Sequence, residues 1–430
     1  MTEEEKSSIS RSKSYFRYMI LILVLVQILD AYTTSYTAVF PSKVAEEFLK
    51  GYSANEQAAI MALSIGIATV GMYFVFVNQF LADKLGRRLM LFITTLGMGV
   101  SALFLALSQD IIQYTIFLFL TYLFFSADMW LIYINEEAKS EKRAYYTNVV
   151  LAFGIAGPIL MPIFRSIFIT ETSPVGAWRG MTLFPILLGI PLSIIIILTM
   201  KETAKYEEMK EGKLIQKEEL SITFRENIRA LFASDRKKEL IALYVMSYFC
   251  GLNFIFLQLA ELYIATTAGL PESSINLVIY IVAISVILGY LLTGIIADKI
   301  GRKPLIYLFS VLMFIATIIL YFGSISSPAI FIFIVIGVAL GYVAYDSLHI
   351  VLRIVTLEVV PTDRRGTGSG LRALITALGI TSGFFIGSAL SFAFGLGVAF
   401  ILISIPLFIN VLLAHKYLTE TKGTDLAMVK

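Results

Sequence analysis

Leu81-Ala82-Asp83-Lys84-Leu85-Gly86-Arg87-Arg88 recurs, with conservative changes, as Ile296-Ala297-Asp298-Lys299-Ile300-Gly301-Arg302-Lys303. Each copy interrupts a long apolar run. An internal echo over such a distance fixes architecture before any local reading, because it means that one plan is built twice. In each copy a glycine follows the end of one run, where positive φ lets a helix close sharply.

Working outward, 58% of the 430 residues are hydrophobic and 15% are charged, whereas soluble domains carry about 25% charged residues. The apolar blocks are long enough to cross a ~30 Å hydrocarbon core, which takes about 20 helical residues. Backbone polar groups in lipid need internal partners, and continuous rather than alternating apolar blocks choose helices over a barrel. Spans are expected at 18–40, 58–82, 89–107, 111–134, 146–169, 181–200, 239–268, 274–297, 304–323, 328–357, 367–390 and 396–417. The expected fold is an all-α membrane protein: twelve transmembrane helices in two pseudo-symmetric six-helix bundles, 18–200 and 239–417. Residues 1–17 (with Lys6, Arg11, Lys13 and Arg17) and 418–430 form tails, the first preceding a retained span rather than a cleaved leader. The polar stretch 201–238 links the halves. In it Ile222, Ile228, Leu231 and Phe232 alternate with Arg225, Arg229 and Arg236, the pattern of an amphipathic surface helix; a plain tether is the alternative.

Charge sets the orientation. Of the 34 lysines and arginines, only Lys43, Lys50 and Arg179 fall in odd-numbered connections, and Arg165, Arg353 and Arg372 lie in or at the ends of spans. The rest gather at the even connections and the tails, which puts both termini in the cytoplasm of a multi-pass cell-membrane protein.

Several classes drop out. A single cysteine, Cys250, permits no intrachain disulfide and reads as a packing residue. His349 and His415 with so little sulfur make no zinc cage, so no metal or other cofactor is expected. No phosphate-cradling G-x-x-x-x-G-K-[ST] loop appears, which argues against direct ATP drive. Nothing outside the spans resembles a nucleophile with its base, so an enzyme is not expected, nor is a nucleic-acid partner.

The D-[KR]-x-G-R-[KR] turn after spans 2 and 8 of a six-plus-six chain resembles the major facilitator superfamily, over nearly the whole length. Glu136 to Arg143 and Glu358 to Arg365-Gly366 are equally spaced echoes that look like the E-x-x-P-x-x-x-R-G turns of its sugar and metabolite transporter branch. Lys201-Glu202-Thr203 resembles that branch's P-E-[ST] turn, and Glu420-Thr421-Lys422-Gly423 its E-T-K-G ending. Two features depart from the hexose carriers. Tyr248-Phe249-Cys250 stands where they carry a Gln-Gln pair, and Ala127-Asp128-Met129-Trp130 lacks their helix-4 arginine. That region is closer to branches that carry organic acids, nicotinate-like molecules or other metabolites. The resemblance implies a monomeric transporter working by alternating access on a small organic solute (organic acid, other metabolite or sugar), with protons as coupling ion. A proton-driven exporter and a non-transporting solute sensor are the alternatives.

Two groups of residues carry the expected chemistry. At the repeated turns, Asp83, Gly86, Arg87, Glu136 and Arg143, and their counterparts Asp298, Gly301, Arg302, Glu358 and Arg365, form a candidate cytoplasmic gate. The aspartates face a helix N-terminus or a basic partner, and the arginines reach the glutamates. Within the spans, Asp30, Asp128, Glu261 and Asp346 are carboxylates at membrane depth, where a charge costs about 2.5–3.5 kcal/mol and is functional by default. All four are proton-coupling candidates, Asp30 first, because the 18–40 span places it near the midplane. Gln27, Tyr32, Trp130, Asn148, Arg165, Asn253 and Gln258 are candidates for the substrate cavity. Arg165 is expected at the depth of Glu261, to bind a substrate carboxylate or pair with an acid. Arg353 and Arg372 read as side chains that snorkel to the cytoplasmic surface.

Overall fold

A computed structural model describes residues 11–125, 129–139, 142–207, 229, 231–233, 236–360 and 365–420. It is helical, with elements α1 (Lys13–Thr33), α2 (Pro41–Phe48), α3 (Ala54–Thr69), α4 (Val75–Leu85), α5 (Arg87–Ala106), α6 (Ile111–Leu123), α7 (Met129–Glu137), α8 (Arg143–Gly154), α9 (Ala156–Phe168) and α10 (Leu183–Thr199). After the linker come α11 (Lys237–Leu252), α12 (Phe254–Thr266), α13 (Glu272–Ile300), α14 (Arg302–Ile325), α15 (Phe331–Val359), α16 (Arg365–Phe394), α17 (Leu396–Ser404) and α18 (Leu407–Tyr417). Among the described residues eleven helical stretches are long and apolar enough to cross a membrane. The shorter α6 and α7 occupy the expected fourth span, on either side of residues outside the described set.

The helix ends follow the side chains. Ser53 and Glu56 form a reciprocal capping box at the start of α3, as their spacing predicts. Gly86 stands at φ +105° and Gly301 at φ +99°, so each ends one helix and opens the next across the repeated turn.

Several expected spans are broken or shifted, each for a local reason. The first ends at Thr33 rather than 40, and the short helix α2 follows, opened by Pro41 at its first position. The fifth breaks at Ile155, because Pro158 has no amide hydrogen to give the carbonyl of Gly154. The seventh breaks at Asn253, whose side-chain amide bonds the Phe249 carbonyl at 3.0 Å and competes with the helix ladder. Of the proposed linker helix, Leu231 is buried with Leu240, Tyr244 and Val360, while Ile222, Arg225 and Ile228 lie outside the described residues.

The chain falls into two compact units that cut across the six-plus-six order. The first comprises residues 1–36, 71–164 and 179–221. Its core joins Met19, Leu23 and Val26 of α1 to Met90, Leu91, Trp130, Ile134 and Ile196. The second comprises residues 37–70, 165–178 and 222–430. There α3 packs along α16, with Thr69 and Thr381 hydroxyls 2.9 Å apart. Span 11 also lies hard against span 7: a Cβ at Gly379 or Gly383 would come within 2.2 Å of the carbonyl of Tyr248 or Leu252.

Candidate functional site

In the first unit, Arg87 organises the repeated turn. Its guanidinium pairs with Asp83 at 2.9 Å and Glu136 at 3.1 Å, and Nη1 donates to the Ala82 carbonyl at 2.9 Å. The Thr203 hydroxyl donates to Glu136, and Tyr206 lays its ring 4.9 Å from the Arg87 guanidinium. Glu202 accepts from the backbone amides of Arg87 and Arg88 at 3.0 and 3.2 Å, neutralising the positive end of α5. Beside this cluster Glu137 is held above the usual carboxylate range by burial, although the Ala204 amide and Arg11 oppose the shift.

The second unit repeats this construction. Arg302 pairs with Asp298 and Glu358, each at 3.1 Å, and donates to the Ala297 carbonyl at 2.9 Å. Glu420 accepts from the Arg302 and Lys303 amides at 2.8 and 3.0 Å. Thus the glutamates of the Lys201-Glu202-Thr203 and Glu420-Thr421 motifs are the caps of the helices that leave the two turns. The helix N-termini go to them, and the aspartates take the arginines. Arg143 instead donates to its own turn at the Ala138 carbonyl, 3.1 Å, and the Arg365 side chain lies outside the described residues.

The glycines are fixed twice over. Besides its positive φ, a Cβ on Gly86 would stand 2.3 Å from Glu202 Oε2, and one on Gly301 2.5 Å from Glu420 Oε2. Gly86→Ala and Gly301→Ala are each expected to lower stability by about 1–3 kcal/mol, read as the thermal unfolding midpoint in detergent. An unchanged midpoint would show that these caps can move aside freely.

Arg165 and Glu261 meet at the end of the second unit remote from Gly301. The arginine is fully buried and pairs with Glu261 at 2.7 Å and Glu272 at 2.9 Å. It also donates to the Val39 carbonyl and the Asn276 side chain. Glu261 accepts from the amide and hydroxyl of Ser42 at 2.9 and 2.6 Å. Residues from the first connection and the fifth span are thereby tied to the seventh and eighth spans. Ser42, Asn276 and Glu272 are partners that chain order does not reveal, although Glu272 in the first turn of α13 was a visible acid.

At the rim, Lys43 bonds Glu272 and Glu46, both at 2.8 Å, beside a cavity of about 550 Å³. Burial pulls its ammonium down, but these hydrogen bonds outweigh it and hold the group above its ordinary value. A raised folded-state value means that the stabilisation is complete below the ordinary lysine value of 10.5 and fades as pH rises through the folded value. Lys43→Met should therefore narrow its gap in unfolding midpoint to the native chain only above about pH 10.5; narrowing near pH 7 would contradict the reading.

Along the spans, α1 ends at Thr33, and Asp30 lies in its last turn. Gln27, one turn earlier, keeps a buried Oε1 without a hydrogen-bond partner, as does the indole nitrogen of Trp130. The Tyr32 hydroxyl donates to the Met181 carbonyl at 2.8 Å, and its ring stacks on Tyr36. Asn148 is exposed, and Asp128 lies outside the described residues. Asn253 spends its amide on the Phe249 and Ile403 carbonyls, whereas the buried Gln258 Oε1 has no partner. Asp346 sits at the middle of α15, half-buried, with Tyr290 as an electrostatic neighbour. Arg372 departs from expectation: it is 4% exposed and does not reach the surface.

Helices of membrane-spanning length carrying half-buried charges define a multi-pass membrane protein. The sequence matches the Major Facilitator Superfamily over residues 20–343 and again over 240–426, and the chain belongs to that family. It is accordingly an all-helical membrane transporter, not an enzyme. Among solved structures, it resembles a D-xylose-proton symporter, with 16% identity, TM-score 0.76, and coverage of 96% of this chain and 100% of that one. The inward-open xylose transporter XylE from E. coli gives 17%, 0.70, 96% and 99%. The nucleoside transporter NupG gives 12%, 0.74, 93% and 100%. No curated protein matches the sequence.

Proposed function

We propose that the chain is a secondary active transporter that moves a small organic solute across the cell membrane by alternating access, as a proton symporter, with both termini cytoplasmic. The observation that carries the coupling is Asp346, a half-buried carboxylate at the centre of a 29-residue helix, with Tyr290 as its electrostatic neighbour. A carboxylate in that setting is protonated more readily when desolvated and less readily when water or a cation reaches it, so alternating exposure moves a proton. Asp30 is the second candidate in the described spans. The neighbours named as a proton symporter and a nucleoside transporter support the class at this level of identity, not the cargo. On this reading the Arg87 and Arg302 clusters brace the cytoplasmic ends of the halves. The Arg165 network is the opposing lock, which must part when the carrier opens outward.

The test uses proteoliposomes holding a trapped pH dye and a solute found by thermal-shift screening of sugars, organic acids and amines. Asp346→Asn is expected to keep counterflow of labelled solute but to lose lumen acidification and uphill uptake. Acidification by both Asp346→Asn and Asp30→Asn at the native rate would sink proton coupling. A native chain without counterflow would favour the sensor.

A further inference from the structure

The C-terminal half holds a buried cation with donors left over among the described residues. Arg372 lies on α16 about 10 Å from its start, at 1.5 Å per residue. It is 4% exposed, and both Nε and Nη1 are buried without a hydrogen-bond partner. Among the described residues no carboxylate forms an ion pair with it. Its electrostatic neighbours are a second guanidinium, Arg353, and the side chains of Cys250, Tyr345 and Tyr244. His349 stands within reach of both arginines and stacks on Tyr345 at 6.3 Å, and Asp346 lies near Cys250 and Tyr345.

A buried charge is tolerated when paired and costly when not. A guanidinium in particular offers a planar fork of N–H donors that matches a carboxylate edge to edge. Arg353 is exposed and solvated, so the buried positive charge is that of Arg372, and no carboxylate among the described residues pairs with it. A neutral sugar would satisfy hydrogen bonds but not that charge, and a dianion would overshoot it beside Asp346.

We infer that Arg372 is the substrate-binding residue of this transporter and that its cargo is a small organic monocarboxylate, bound edge-on by the free donors of the guanidinium. The inference rests on the transporter reading only for the word cargo, since the binding site itself stands on the unpaired donors. The Tyr345–His349 ring pair offers a face against which the body of such an acid packs.

The experiment measures binding to purified full-length protein with lactate, benzoate and nicotinate, their amides, xylose, and glycerol 3-phosphate. At least one carboxylate should raise the unfolding midpoint and bind at least tenfold more tightly than its amide. Arg372→Gln should lose that affinity by tenfold or more, and Arg372→Lys should keep part of it. Because Nε and Nη1 have no hydrogen-bond partner among the described residues, Arg372→Gln should unfold at or above the native midpoint, whereas a purely structural arginine would lower it. The proposal is overturned if no carboxylate binds, if xylose or glycerol 3-phosphate is preferred, or if Arg372→Gln binds the carboxylate unchanged. Carboxylate binding without counterflow in liposomes would leave the site standing and remove the transport function instead.

Discussion

Arg165→Met is expected to be the most destabilising single substitution in the chain, lowering stability by about 3–5 kcal/mol. The side chain is fully buried and serves two carboxylates, a backbone carbonyl and an asparagine at once. Its removal strands Glu261, which is itself buried and keeps only Ser42. Glu272 suffers less, because Lys43 remains within 2.8 Å. The asymmetry gives an internal control. Arg165→Met/Glu261→Leu should recover a large part of the loss, since an apolar pair of similar volume replaces a buried ion pair at little cost. Glu272→Gln should be milder than Glu261→Gln. Unfolding midpoints in detergent check all four variants. A double variant no more stable than Arg165→Met would mean that packing around the guanidinium, not the stranded charge, sets the cost.

The same residue shows how far chain order reaches. Depth along a helix is countable, which is why Arg165 and Glu261 could be put at one level from sequence. Direction around the helix and the identity of neighbours are not countable when Val39 and Ser42, Arg165, Glu261 and Asn276 come from four separate segments. The repeated turns were far more legible, because Asp83, Gly86 and Arg87 act locally, at helical spacings, and twice. Even there the roles of Glu202 and Glu420 were visible only as a resemblance. Each arrives from the end of a distant helix, and only the folded chain shows its carboxylate on the amides of another. Arg372 was misread for a related reason. Its distance from a helix end allows a long side chain to reach the surface, but allows it equally to turn inward, and it turns inward. The breaks at Ile155 and Asn253 lay in plain sight as Pro158 and as a mid-helix asparagine, but a hydropathy block averages over them.

The second large effect is expected on transport, from a substitution that keeps the charge. Arg87→Lys should cut the rate of solute counterflow by about tenfold, a loss of roughly 1.4 kcal/mol in the barrier, with insertion unaffected. Arg87 uses its planar fork: Nη2 lies between Asp83 and Glu136, Nε reaches Glu136 again, and Nη1 adds a second donor to the Ala82 carbonyl, which also accepts from the Gly86 amide. Lysine, a single point charge, can keep one of these ties but not three, and it loses the stacking of Tyr206. Arg302→Lys breaks a similar set on Asp298, Glu358 and the Ala297 carbonyl, but Arg302 Nε has no bond to match that of Arg87 Nε, and no aromatic lid covers it among the described residues. Its effect should therefore be in the same direction and smaller. Asp83→Asn should be milder than either, because Asp83 is two-thirds exposed and water can replace much of what it offers. Counterflow normalised to reconstituted protein orders the three variants. Native rates for Arg87→Lys would mean that any positive charge suffices, in which case the turn orients the chain during insertion and does not brace the moving half.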